Sequence, residues 1–425
     1  MVRRYARPEC MSRGGKGMRI LSVRWVVAAI AVVAVASLLT VPSAMSATKI
    51  TVSVGRQPWA AGNSPITQYM IDHKLFEKYA AQFGFDVTVD YRDYPSALPM
   101  VEAMVGGKLD FGMWGNTPIV RAIAQQVPLS VLDVGEGHFR FIIATRAGSG
   151  IRNLHDLKGK TVGVLLGGDP YNAFSQMLYW VLGNGDPRAL NIRLVNTPTQ
   201  AQAATVPKGM DATVVTYPAY LEAQLTDPNV KGIANSFGYT EDYYKGRLGE
   251  GAGHLYPEVK KSPFYPDGFY LHRSFWVVRN AIMDKYPNLV VAFIMAQQAA
   301  VEALDKMQPG PVAALVQKYW QLPPDVGAKV VKDEVLFIRN WVWPTQGDAW
   351  ALVKTSQFMV AGKMIDKPLT WKEVTDDLAK AAPLLQTAYT RMGSYPPAAA
   401  FTDKNARDLR GLPVWDVSKW KLPTQ

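Results

Sequence analysis

Apolar residues in this chain fall into short continuous runs that alternate with stripes of helical spacing. Lys49 to Val54, Phe111 to Trp114, Thr161 to Leu166 and Ala212 to Val215 are β-favouring runs of buried-strand length. Each leads into a turn and then a helix: from Ser64-Pro65 with Ile66, Tyr69 and Met70, from Asn116-Thr117-Pro118, from Asp169-Pro170 and from Thr216-Tyr217-Pro218. The third is the best signalled. Gly167 and Gly168 free the backbone, Asp169 is placed to cap, Pro170 suits the first turn, and Phe174, Met177, Leu178, Val181 and Leu182 form one stripe before Gly183 stops it. The plan repeats: Val105-Gly106-Gly107-Lys108-Leu109-Asp110 precedes one strand, and Val206-Pro207-Lys208-Gly209-Met210-Asp211 precedes its counterpart a hundred residues on. Strands alternating with helices in two halves predict two α/β lobes with parallel-rich sheets. Ligands of such sheets sit beyond the carboxyl ends of strands, and two facing lobes bring those ends to one cleft.

The chain is expected to cross between lobes near Phe139 to Arg146 and to return through Gly268 to Val278. This predicts a first lobe beginning at 48–145, a second lobe at 146–267, and return crossing plus first-lobe helices at 268–392. Pro287 to Leu304, Pro311 to Trp320 and Asp348 to Met364 read as those helices, packing back on the first lobe. Residues 393–425, with Pro396-Pro397, read as a surface tail. The aromatic-rich stretch from Asn235 to Asp267 reads as a long loop that caps the cleft.

Residues 1–47 read as an export signal. Seven Lys/Arg precede an apolar run from Trp25 to Val41, and small residues follow at Ser43, Ala44, Ser46 and Ala47. A retained signal anchor is the alternative, since the run is near the lower limit for spanning a bilayer. With one Glu, this segment holds +6 of the formal +11, so the remainder carries a mild +5 that gives no case for nucleic acid. The single cysteine, Cys10, lies within the signal. An exported product would therefore lack thiol catalysis, cysteine zinc sites and a lipid anchor.

The Gly159-Lys160-Thr161 triplet is not a nucleotide loop: Leu154 stands where the first glycine belongs, and the triplet precedes its strand. The five histidines show no metal spacing, and no G-x-S-x-G is present, so neither metal nor cofactor is expected. Arg56, the cation of the first glycine loop, either holds an anion bidentately or is a solvated loop residue. Trp59, Trp114, Tyr171 and Tyr217 lie beside the expected strand ends, as an aromatic box or, for Trp114, as core. His272-Arg273 falls on the return crossing, where a hinge role competes with ligand contact.

Four segments in order resemble the substrate-binding proteins of ABC importers for nitrate, sulfonates and taurine, a family that includes thiamine-pyrimidine binders. They are Leu75-Phe76-Glu77-Lys78 with Phe85-Asp86-Val87; Val101-Glu102-Ala103-Met104 through Pro118; Asp156-Leu157-Lys158-Gly159-Lys160 with Val162-Gly163-Val164; and Lys363-Met364-Ile365-Asp366-Lys367-Pro368. The resemblance implies a type 2 periplasmic-binding fold, two α/β lobes closing on one small molecule and delivering it to an inner-membrane permease with its ATPase. By family position Gln57, Asn116, Thr117, Gly168, Asp169, Thr216 and Tyr217 would face ligand. Asp169 departs from the family's common Ser, as does Thr216-Tyr217-Pro218 from its Trp and acidic residue before the proline. A carboxylate replacing a hydroxyl beside an anion pocket weighs against a simple sulfonate.

The expectation is an exported, periplasmic, monomeric receptor for a small organic anion, a sulfonate or carboxylate with an aromatic or apolar body. The alternatives are an enzyme on the same fold related to thiamine-pyrimidine synthesis, and a receptor feeding a membrane sensor. The enzyme would resemble synthases that use a cysteine-rich motif inside the cell, which an exported chain without cysteine does not fit.

Overall fold

The computed structural model describes residues 47–58, 64–137, 140–197, 200–240, 254–265, 267–333 and 342–393. The expected export segment up to Ser46, the expected tail beyond Gly393, and Trp59 lie outside the described residues. In chain order the strands are β1 (Thr48–Arg56), β2 (Phe85–Asp93), β3 (Phe111–Trp114), β4 (Leu129–Gly137), β5 (Phe141–Arg146), β6 (Thr161–Val164), β7 (Arg193–Asn196), β8 (Ala212–Thr216), β9 (Val230–Asn235) and β10 (Arg273–Arg279).

They form two sheets of the same design, β2-β1-β3-β10-β4 and β7-β6-β8-β5-β9. In the first, β1 is parallel to β2 and β3, while β10 runs against β3 and β4. In the second, β6 is parallel to β7 and β8, while β5 runs against β8 and β9. The reversed strand of each sheet comes from the other half of the chain: β5 follows β4 of the first sheet, and β10 follows β9 of the second. Because β5 pairs along its length with β8, the crossing falls ahead of Phe141 and not at 145–146. Every residue of β3, β6 and β8 is buried, which accounts for their continuous apolar runs; the edge strand β2 alternates instead.

Helix Pro287–Asp305 lies in the first-lobe core. Phe293 stacks on Phe111 with ring centroids 4.4 Å apart and meets Phe76 and Trp276 edge-on at 5.1 and 5.0 Å. Helix Gln346–Ala361 starts before Asp348 because Thr345 and Asp348 form a capping box. It touches both halves and not the first lobe alone. Thr355 Oγ1 accepts from Asn116 Nδ2 (3.2 Å), and Phe358 packs edge-on against Tyr179 and Trp180 of the second half at 5.4 and 5.8 Å.

The described parts of 235–267 do not cap the cleft. Phe237, Val259 and Phe264 are buried, and Tyr239 bridges to Leu255. Val259 joins the second-lobe core and Phe264 packs on Trp350 (5.5 Å). The aromatic residues there serve packing; 241–253 lie outside the described residues.

Candidate ligand-binding site

The strand ends converge on a cavity of about 280 Å³. Gln57 after β1, Gly115 after β3, Leu165 to Pro170 after β6, Thr216 at the end of β8 and Ser274 at the start of β10 contribute to its wall. Helix Ala97–Val105 adds Leu98 and Val101, and the lining is predominantly apolar.

Helix Asn116–Ala124 turns Pro118, Arg121 and Ala122 toward this space, with its C-cap Gln125 continuing the stripe. The Arg121 guanidinium has no carboxylate within 4 Å and no hydrogen bond among the described residues. Burial lowers its pKa while Asp169 opposes that shift, and an arginine stays charged throughout the physiological range. Gly167 makes room for it. A Cβ there would sit 2.6 Å from Arg121 Nη1, and the backbone is left-handed at φ +79.

Asp169 does not cap its own helix, as its position suggested. Gly168 is the N-cap of helix Asp169–Leu182, and no side chain caps it. The Asp169 carboxylate crosses the cavity instead: Oδ1 accepts from the Thr117 N–H (2.8 Å) and the Tyr270 hydroxyl (2.5 Å). The Thr117 amide is one of the free donors at the start of the facing helix. Any side chain at Gly115 would exclude this contact, since a Cβ would lie 1.9 Å from Asp169 Oδ2. Burial, then the Asp169 charge, pushes the Tyr270 phenol well up, so it remains a donor. His272 Nε2 lies 3.9 Å from Oδ2, but burial lowers its pKa to about 4, so the imidazole is neutral near pH 7 and the pair is not ionic there.

The remaining expected residues divide sharply. Gln57 lines the cavity, its Nε2 donating to Met113 O (2.5 Å). Thr216 also lines it, with its N–H donating to Gln200 Oε1 (2.9 Å). Asn116 does not: its side chain donates to Leu271 O (2.7 Å) and Thr355, and accepts from the Arg273 N–H (2.8 Å). Thr117 Oγ1 is taken by Asn172 Nδ2 (3.2 Å). Arg56 pairs with Asp93 at 2.6 Å beside the Tyr319 ring. Tyr171 is buried and donates to Gly362 O (3.3 Å), and Tyr217 is buried under the Arg140 guanidinium, 3.5 Å from its ring centroid. The aromatic box is therefore not assembled by Trp114, Tyr171 and Tyr217, which pack away from the cavity wall.

Other lining residues escaped the sequence. Thr216 Oγ1, Ser274 Oγ and Gln200 Nε2 are buried on the wall with no hydrogen-bond partner among the described residues. Of these three residues, Gln200 and Ser274 were missed, as was Arg121. A signal for Arg121 existed: it lies one turn after Thr117 on the same helix. Nothing local marked Gln200 or Ser274. Among the described residues no group of three or more His, Cys, Asp or Glu could hold a metal ion.

Residues 73–167 match the sequence model of a family described as "ABC transporter, phosphonate, periplasmic substrate-binding protein". The taurine-binding periplasmic protein of Escherichia coli (strain K12) is 25% identical over 231 residues, 52% of this chain and 57% of that protein. The chain thus aligns with little more than half the length of that relative. By sequence the chain is similar to that family model over 73–167 and to the taurine-binding protein over about half its length. Solved structures share its fold. The alkanesulfonate-binding protein SsuA from Xanthomonas axonopodis pv. citri bound to MOPS is 18% identical, with 76% of this chain and 97% of that one covered and a TM-score of 0.55. The nitrate-binding protein NrtA from Synechocystis PCC 6803 is 13% identical, with 82% and 90% covered and a TM-score of 0.56. The fold is the two-lobed α/β periplasmic-binding fold that the sequence motifs implied.

Proposed function

We propose that this protein is an exported solute receptor that captures a small organic anion between its lobes and hands it to an ABC permease of the inner membrane. One observation carries the proposal: a mainly apolar cavity at the strand ends holds a cation, Arg121, with no ion-pair partner among the described residues, beside buried polar groups with no hydrogen-bond partner among them. Buried groups of that kind are costly to leave unpaired, and a ligand that pairs them offsets the cost. The names of the relatives, which bind taurine, alkanesulfonates and nitrate, support an anionic ligand. Gln57, Gly168, Asp169 and Thr216 remain in the proposed site, joined by Arg121, Gln200 and Ser274. The reading is of capture and release by a monomer through lobe closure, without bond making. Residues 1–47 would direct the chain to the periplasm and be removed there.

The test is thermal unfolding of the purified protein against sulfonates, aromatic carboxylates, nitrate, bicarbonate and pyrimidines. A ligand at about a hundred times its dissociation constant adds roughly 2.7 kcal/mol, a shift of several degrees. A shift with an organic anion supports the proposal. No shift with any sulfonate or carboxylate rejects it.

A further inference from the structure

We infer that Asp169 is a built-in anion that sets the ligand class: it occupies the first-lobe helix N-terminus, turns away small inorganic oxyanions, and leaves Arg121 to pair with the head group of an anion carrying an apolar body. The inference rests on the receptor reading above and deepens it.

The start of helix Asn116–Ala124 offers free N–H groups and the positive end of a dipole, the natural place for a bound oxyanion. The protein's own carboxylate is already there, accepting from the Thr117 N–H at 2.8 Å and from Tyr270 at 2.5 Å. Gly115 is shaped to it, since a Cβ would fall 1.9 Å from Oδ2. A second anion at this point would meet a like charge and find those donors taken. His272, 3.9 Å from Oδ2, is neutral at physiological pH and does not offset that charge. The negative charge of a ligand is thereby directed to Arg121, which lies against Gly167 with no carboxylate within 4 Å among the described residues. The rest of the space suits an apolar body. Val101, Ala122, Val127, Leu165, Leu166 and Met364 face it, and its volume of about 280 Å³ far exceeds the ~30 Å³ that one water takes in the liquid.

The experiment is calorimetric titration of the purified protein with hexanesulfonate, taurine, sulfate and nitrate, repeated on Arg121→Gln and Asp169→Asn. The wild type should bind hexanesulfonate and hold sulfate and nitrate about a hundredfold more weakly. Taurine, with an ammonium in place of the apolar body, should also bind more weakly. Arg121→Gln should weaken hexanesulfonate by about 30-fold with the melting temperature kept. Asp169→Asn keeps an acceptor for Thr117 and Tyr270 but removes the charge, so sulfate should gain about tenfold. Sulfate, nitrate or taurine binding the wild type as tightly as hexanesulfonate overturns the inference. So does an Arg121→Gln protein of unchanged affinity, or a folded Asp169→Asn protein with no gain for sulfate. If Asp169→Asn fails to fold, the wild-type and Arg121→Gln titrations still decide. Hexanesulfonate binding that ignores Arg121 sinks this inference alone. If the wild type binds none of the four and no organic anion shifts its melting, the receptor reading fails, and this inference with it.

Discussion

At the end of β3 the chain runs Gly115-Asn116-Thr117-Pro118, and at the end of β6 it runs Gly167-Gly168-Asp169-Pro170. Both junctions place glycine, a polar residue and a first-turn proline at the mouth of a helix, and both face the same cavity. Their uses differ. The first is closed: Asn116 is held by Leu271, Thr355 and Arg273, tying helix Asn116–Ala124 to the return strand and to helix Gln346–Ala361. The second is open: Gly168 caps the helix by conformation alone, leaving the Asp169 carboxylate to reach the opposite lobe. A polar residue before a proline is thus a local helix-start signal, and its wider role depends on which donors surround it.

The sharpest way to break this comparison is Gly115→Ala. The backbone there (φ −81) accepts alanine, but the methyl would collide with Asp169 Oδ2, a clash expected to cost about 3 kcal/mol or more in chemical denaturation. A loss under about 1 kcal/mol would mean the two junctions do not meet as described.

Second in size is a pH effect beside the open junction. Burial depresses His272 from an ordinary pKa near 6.5 to about 4, with Arg273 adding to the shift and Asp169 opposing it. The unfolded chain therefore takes up this proton first on acidification. Stability from this group is whole above pH 6.5 and drains away as pH falls through 4, by roughly 3 kcal/mol in all. His272→Gln should remove that dependence, so the gap in unfolding free energy between variant and wild type should narrow or reverse in acid. A gap that stays constant from pH 7 to pH 4 would contradict the assignment.

The closed junction is probed by Asn116→Ala. Three hydrogen bonds go and their partners lose this side chain, so stability should fall by about 2 kcal/mol while affinity for a bound organic anion stays within a few-fold. An affinity loss of about tenfold with stability kept would return Asn116 to the ligand. Smallest is Thr216→Val. It removes a buried hydroxyl with no partner among the described residues, so stability should change by less than about 1 kcal/mol, or rise, while ligand affinity drops. A clear loss of stability would show that the hydroxyl serves the fold.

Much of the architecture was legible because it is written in local patterns. The continuous apolar runs of β3, β6 and β8 mark strands buried on both faces, and the glycine and proline signals place the helices that follow them. Of the expected residues, the cavity wall takes in those just past or at the end of a strand: Gln57, Gly168, Asp169 and Thr216. Arg56 and Tyr171 lie off the cavity wall for a shared reason: each has a partner far along the chain, Asp93 and Gly362, that no spacing announces. Ser274 and Gln200 reach the cavity through the same kind of long-range placement.

By itself the sequence determined the alternation of strands and helices, the two-lobe plan and the convergence of strand ends, because these follow from backbone hydrogen bonding and the burial of periodic apolar faces. The tertiary structure alone decided which polar groups are spent on one another and which stay available. Asn116 is consumed, Asp169 is turned across the cavity, and Arg121 is left without an ion-pair partner among the described residues. A hydrogen bond or ion pair depends on a few ångströms and a direction between residues distant in sequence, and only the folded packing sets both.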